Sequence, residues 1–215
     1  MDTNNGLMGS EDFDRWAADY DASVQRCQSD NAYPFAGYER ILDAIFRRLE
    51  DAGASTVLDV GFGTGVLASR CYQHGMSVWG QDFSARMLAL AQEKMPDAHL
   101  YQGDFSLDLV PPLKERAYDA ITATYSLHHL DGAQKPVLLQ TLLGLLNPGG
   151  RIYIGDVAFE TPGALEACRA RCGDEWDDSE FYFVVQELRA MLEPLGAHCA
   201  FTPFSACSGL IEIWR

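Results

Sequence analysis

The run Val57-Leu58-Asp59-Val60-Gly61-Phe62-Gly63-Thr64-Gly65 constrains this chain more than any other stretch. A short apolar strand carrying one acid runs straight into three glycines at alternate positions. A backbone that turns sharply from strand to helix, and lies close to a ligand at the bend, has no room there for side chains. The bend leads into the helix-like segment 66–74, which Gly75 is placed to end. The N-terminus of that helix offers free N–H groups and a partial positive charge at the end of the strand, which suits a carboxylate or a phosphate.

The spacing narrows the choice of ligand. In the dinucleotide fingerprint G-x-G-x-x-G the third small residue would fall at position 66, where this chain has Val66, so a nicotinamide oxidoreductase is the lesser reading.

The rest of the chain alternates. Strand-like runs at 56–60, 77–81, 98–102 and 118–123 are separated by helical runs at 66–74 and 85–95, the second ended by Pro96. Such alternation specifies βαβ units and a parallel sheet. Asp131 with Gln134 forms a capping box for a helix through Leu146, and Asn147-Pro148-Gly149-Gly150 stops it before a fifth strand at 151–154. Segments 162–172 and 179–193 read as helices, the first opened by Thr161-Pro162, and 197–202 and 209–214 as two closing strands. Ahead of the glycine loop, Phe13, Trp16, Ala17, Tyr20 and Val24 share one helical stripe. Tyr38, Ile41, Leu42, Ile45, Phe46 and Leu49 share another. The expected organisation is an N-terminal helical cap over 1–52 and a ligand-binding α/β domain over 53–215, with 157–193 as a helical insert.

At 215 residues and 47% hydrophobic content the chain is long enough for one α/β domain with a proper core. Its formal charge of −15 would repel nucleic acid rather than collect it, whereas a cationic small molecule is not disfavoured. The six cysteines form no C-x-x-C pair, so no metal site and no disulfide framework is expected, and reduced thiols in a cytoplasmic protein are the simpler reading. No stretch reaches the ~18 apolar residues of a membrane span. A monomer or a homodimer is equally compatible with these features.

In an open parallel sheet, ligands bind beyond the carboxyl ends of the strands, so the residues just after each strand are the candidates. Asp82 lies 21 residues beyond Gly61, the distance at which an acid hydrogen-bonds ribose hydroxyls; the alternative is a loop acid beside the helix cap Ser84. Phe83 and Met87 either pack on a base or belong to the core. Gly103-Asp104-Phe105 can read an adenine edge, Asp104 accepting from the amine and the next N–H donating to the ring, or it is an ordinary turn. Thr124 follows the fourth strand, and Tyr125, His128 and His129 come after it. Adjacent histidines on a turning segment are expected to point apart and not to share a metal, one facing the reacting group while the other packs. Asp156, just past the fifth strand, is either a further cleft residue or a solvated acid.

Taken in order, Asp59-x-Gly61-x-Gly63-x-Gly65, Val78-Trp79-Gly80-Gln81-Asp82-Phe83-Ser84, Gly103-Asp104, Leu127-His128-His129-Leu130 and Leu146-Asn147-Pro148-Gly149-Gly150 resemble the motifs of class I S-adenosylmethionine (SAM) dependent methyltransferases over roughly residues 55–156. Phe13-Asp14-Arg15-Trp16-Ala17-x-x-Tyr20-Asp21 is similar to the opening of small bacterial methyltransferases of the YrrT type. The resemblance implies a Rossmann-like α/β fold with a seven-stranded, mostly parallel sheet whose last strand is antiparallel. It places Asp59 near the cofactor's methionine end and brings Gly61, Gly63 and Gly65 to the methionine and ribose. It gives Asp82 the ribose hydroxyls and Asp104 the adenine amine, with Tyr20 closing over the cofactor. Phe62 departs from the smaller residues common between the first two glycines.

The function implied is methyl transfer from SAM to a small-molecule acceptor, with Tyr20, Tyr33, Tyr125 and the 157–193 segment around the acceptor. His128, His129 or Asp156 would remove a proton where the acceptor carries one. The alternatives are a SAM-binding sensor or assembly protein without methyl transfer and, less favoured, the NAD(P) oxidoreductase.

Overall fold

The computed structural model describes residues 33–215; the Phe13–Val24 stripe and Tyr20 lie outside the described residues. Helix α1 (Tyr38–Asp51) precedes strand β1 (Thr56–Val60), and the chain continues through α2 (Val66–Gln73), β2 (Ser77–Asp82), α3 (Ala85–Lys94) and β3 (His99–Gln102). A short α4 (Pro111–Lys114) leads to β4 (Tyr118–Thr124), a 3₁₀ turn (Leu127–His129), α5 (Gln134–Gly144) and a long β5 (Leu146–Phe159). Then come α6 (Pro162–Cys172), β6 (Phe183–Val184), α7 (Val185–Leu192), β7 (His198–Pro203) and β8 (Ser208–Trp214).

The strands assemble in the order β3-β2-β1-β4-β5-β8-β7, and the two-residue β6 pairs with β5 off that path. β1 runs parallel to β2 and β4, while β8 runs antiparallel to both β5 and β7, so the last strand is reversed as expected. Strand order reverses between β1 and β4, which opens a crevice at their carboxyl ends.

Alternation along the strands feeds two cores. Val57, Ala120, Tyr153 and Leu210 point to the face covered by α1, α2, α3 and α6. Leu58, Ile121, Ile152 and Ile211 point to the face covered by α4, α5 and α7. With more than forty apolar side chains buried on these two faces, burial at roughly 25 cal/mol per Å² is the main stabilising term. α1 rides directly on β5: a Cβ at Gly155 would collide with Ile41 and stand 3.3 Å from Ile45, so glycine there lets the helix approach.

Three boundaries differ from those read in the sequence. The Asp131–Gln134 capping box is formed reciprocally, with the Gln134 amide 2.9 Å from Asp131 Oδ1 and the Asp131 amide 3.0 Å from Gln134 Oε1. The helix it opens ends at Gly144, however, and Asn147-Pro148-Gly149-Gly150 lies inside β5. Pairing begins at Tyr118 and Leu146 and shifts register before Ala120 meets Arg151, so the turn-like residues are absorbed as a bulge. The run read as helix over 179–193 also divides. Residues 176–182 form an irregular strap, Phe183 and Val184 pair in parallel with Ala158 and Phe159, and only Val185–Leu192 is α-helical. Aromatic and β-branched residues at the head of an apolar run suit a strand as well as a helix, and pairing with β5 decides between them.

Candidate active site

The glycine loop is set by contacts on both sides of β1. Gly61, Gly63 and Gly65 have φ of 72°, 55° and 78°, in the left-handed region that glycine enters without steric cost. They do three different jobs. A Cβ at Gly61 would lie 2.5 Å from the Cβ of Ser126, so that glycine lets β1 and β4 close. At Gly65 the same atom would stand 3.0 Å from Met95, and this residue opens α2. At Gly63 nothing lies within 4 Å, and the loop there faces open space. Phe62 is buried and packs over Gly80, whose own Cβ would lie 2.7 Å from the ring. The large residue between the first two glycines is thus matched by an absent side chain on the neighbouring strand.

Asp82 ends β2 and holds this loop. One carboxylate oxygen accepts from the Gly63 amide at 2.8 Å and the other from the Ser84 amide at 2.9 Å, while Ser84 itself caps α3 through the Met87 amide at 3.1 Å. These bonds fix the carboxylate at the mouth of the loop. Asp59 lies behind the loop, 1% exposed, accepting from Thr122 Oγ1 at 2.8 Å. Burial pushes its carboxyl up to about 7, opposed by the Thr122 hydrogen bond and reinforced by the nearby Asp82 carboxylate.

A cavity of about 460 Å³ opens beyond the crevice, a size typical of small-molecule sites. Gly61, Gly63, Asp82, Phe83, Met87, Phe105 and Thr124 line it, together with Tyr33, Tyr125, His128 and His129. Five residues singled out in the sequence stand elsewhere. Asp59 and Gly65 are behind the loop, and Gly103 packs against Gln81 and Val110. Asp104 is exposed and accepts from the Ser106 amide at 2.8 Å, and Asp156 sits behind His128.

The histidine pair is not splayed. The 3₁₀ turn brings the two rings to 4.3 Å between centroids, and His128 Nδ1 lies 2.6 Å from Oδ1 of the fully buried Asp156. Burial alone would lower the His128 pKa, but the carboxylates of Asp156 and Glu180 outweigh it and the net direction is upward. Tyr125 precedes the turn with φ 50°, rare for a residue with a side chain, and is fixed there by its amide donating to the Gly155 carbonyl at 2.8 Å.

Sequence reasoning placed the 157–193 segment around the acceptor, but as helix, and named none of its lining residues. Glu175, Asp177, Glu180 and Tyr182 line the cavity, as do Phe35 and Tyr38. The Phe181 amide donates to the His128 carbonyl at 2.8 Å, Lys135 Nζ donates to the Phe181 carbonyl, and the Tyr33 and Tyr182 hydroxyls bond each other. The signal available was the alternation of acids and aromatics in Asp174-Glu175-Trp176-Asp177-Asp178-Ser179-Glu180-Phe181-Tyr182, which no amphipathic helix requires.

This arrangement has counterparts. A methyltransferase domain model matches residues 57–150. An uncharacterized methyltransferase of Geobacillus kaustophilus is 33% identical over 93% of this chain and 94% of its own length, and one of Bacillus cereus ATCC 10987 is 32% identical over 92% and 91%. Among solved structures, a DhpI–SAM–HEP complex superposes with a TM-score of 0.71 at 21% identity over the whole of both chains. Magnesium protoporphyrin IX methyltransferase of Synechocystis with bound SAH gives 0.67 at 20% identity, over 94% of this chain and 97% of that one. The fold and the glycine-loop site are those of a Rossmann-like nucleotide-cofactor enzyme. The chain belongs to the class I SAM-dependent methyltransferases.

Proposed function

We propose that this enzyme moves a methyl group from SAM to a small-molecule acceptor held between the glycine loop and the strap. The carrying observation is that one cavity is lined both by Gly63 and Asp82 and by His128, His129 and Glu180. The residues fit the cofactor: an open approach at Gly63, a buried carboxylate lining the cavity at Asp82, and an apolar wall from Phe83 and Met87. Asp82 would take the ribose hydroxyls and the amides of the loop would meet the methionine end, with Asp59 behind them. Asp104 would swing its exposed carboxylate from the turn at Ser106 to meet the adenine amine.

When bound, SAM supplies a sulfonium methyl that is already a strong electrophile. The protein's work is therefore to hold the acceptor in line and exclude water, which can supply roughly 7–11 kcal/mol. Tyr33, Tyr125 and Tyr182 form the walls that position the acceptor. His128, oriented by Asp156, and His129 stand where a proton would leave an acceptor hydroxyl or ammonium. Residues of the strap line this cavity of about 460 Å³, a size that supports a small acceptor over a macromolecular one.

Incubation with methyl-labelled SAM and a fractionated metabolite extract, read by mass spectrometry, tests this. The expected result is a labelled small molecule with stoichiometric S-adenosylhomocysteine. Label found only in macromolecules, or SAM binding without turnover across broad extracts, would overturn it.

A further inference from the structure

His128, His129 and Glu180 meet at the strap end of the cavity in a way that a proton relay does not require. Asp156 Oδ1 lies 2.6 Å from Nδ1 of His128, so the proton is assigned to that nitrogen and Nε2 faces Glu180 Oε2 at 3.7 Å, too far for a hydrogen bond. The same oxygen is 3.1 Å from Nδ1 of His129, and all three ligand atoms lie within 4.8 Å of one another. Oε2 of Glu180 is buried and accepts no hydrogen bond among the described residues, and neither does Oδ2 of Asp156.

We propose that these three side chains form a binding site for a divalent first-row transition cation, with Asp156 as its outer-shell carboxylate. Two imidazoles and one carboxylate are a donor set that zinc and its neighbours accept. Metal–ligand bonds near 2.0–2.1 Å in tetrahedral geometry separate ligands by roughly 3.3 Å, so small side-chain rotations close the observed triangle. A histidine whose other nitrogen donates to a buried carboxylate is the usual second shell of such ions, fixing the ring and the tautomer. Charge agrees: the carboxylates of Asp156, Glu180 and Asp131 all act on the Lys135 ammonium, and a divalent ion would offset that local acidic excess.

All three ligands line the cavity, so the remaining coordination positions face the acceptor. Resting on the methyltransferase reading above, this selects an acceptor with an oxygen donor beside or at the atom that is methylated. With the ion in place the imidazoles orient that acceptor through the metal instead of taking its proton.

The test uses the full chain, stripped with a chelator and titrated with Co²⁺. The expected result is one ion per chain with visible absorption bands of nitrogen and oxygen ligation and no thiolate charge-transfer band. Affinity should fall at least tenfold in both Glu180→Gln and His129→Asn, and thermal melts would show the variants folded. Wild type binding no more tightly than the two variants, or thiolate bands dominating, would overturn the metal site. SAM titration of the stripped protein separates this from the reading it rests on. SAM binding by the stripped protein is expected whether or not cobalt binds, so SAM bound with no specific cobalt site sinks the ion alone, whereas no SAM binding by the unstripped protein sinks the methyltransferase reading.

Discussion

At the amino ends of the strands, one carboxylate is saturated. Asp119 accepts from the amides and hydroxyls of both Ser55 and Thr56 at 2.7–3.0 Å and from the Asn147 side chain at 2.8 Å. Burial pushes its pKa up, but the Ser55, Asn147 and Thr56 hydrogen bonds outweigh it and hold the carboxyl well below the usual range. At the carboxyl ends of the same sheet, Asp59 is buried with its pKa raised, Asp156 keeps one oxygen without a hydrogen bond among the described residues, and the backbone at Gly63 faces open space. The two ends belong to one sheet and share strands β1, β4 and β5. The difference shows where polar groups were arranged to fix the fold and where they were left ready for a ligand, since a buried acid with unmet capacity costs stability that only a function explains.

The largest expected effect comes from relieving the ligand end. Asp59 has a folded-state pKa of about 7 against an ordinary 3.8, so between those values the folded state binds the extra proton. Its contribution to stability is present below about pH 4 and is lost as the pH rises towards 7. Linkage sets a ceiling of about 4 kcal/mol on that loss. Asp59→Asn should therefore match wild type near pH 4 and be the more stable protein at pH 8, in urea unfolding without ligand. A variant less stable than wild type at both pH values would show that Asp59 is not strained.

The opposite outcome is expected at the other end. Asp119→Ala should lose about 3 kcal/mol at pH 7, because amides and hydroxyls of two residues lose their shared acceptor. Here the sign reverses: a depressed carboxyl stabilises above its unfolded pKa, so the gap between wild type and variant should close as the pH falls below about 4. A gap that persists in acid would mean that packing, not the ionised carboxylate, joins β1, β4 and β5.

How far the sequence reveals these two ends follows the same divide. β1, the glycine loop and α2 were legible because local chemistry determines them: an apolar run, then glycines at alternate positions. Asp82 was legible because its distance from Gly61 is a property of one βαβ unit. The bulge at 146–150 was not, since Pro148-Gly149-Gly150 reads as a stop and only pairing with Tyr118 and Ala120 draws it into β5. The 157–193 segment was read as part of the acceptor pocket, but Glu180 and the irregular course of the strap were not legible. Their positions depend on contacts with His128 and Lys135 that lie about fifty residues away in sequence, and no spacing rule carries that information. The histidine pair was found but its geometry was not, because alternation applies to an extended segment and the 3₁₀ turn brings the rings together.

The central claim is that the cofactor is held at the carboxyl end of the sheet by Asp82 and the glycine loop. Calorimetric titration of SAM into wild type, Asp82→Ala and Asp119→Ala tests it in one experiment. Wild type should show one site per chain, Asp82→Ala an affinity lower by about 100-fold, or about 2.7 kcal/mol, and Asp119→Ala wild-type affinity at a temperature where that variant is folded. Equal affinity in Asp82→Ala and wild type, or an equal loss in both variants, would contradict it.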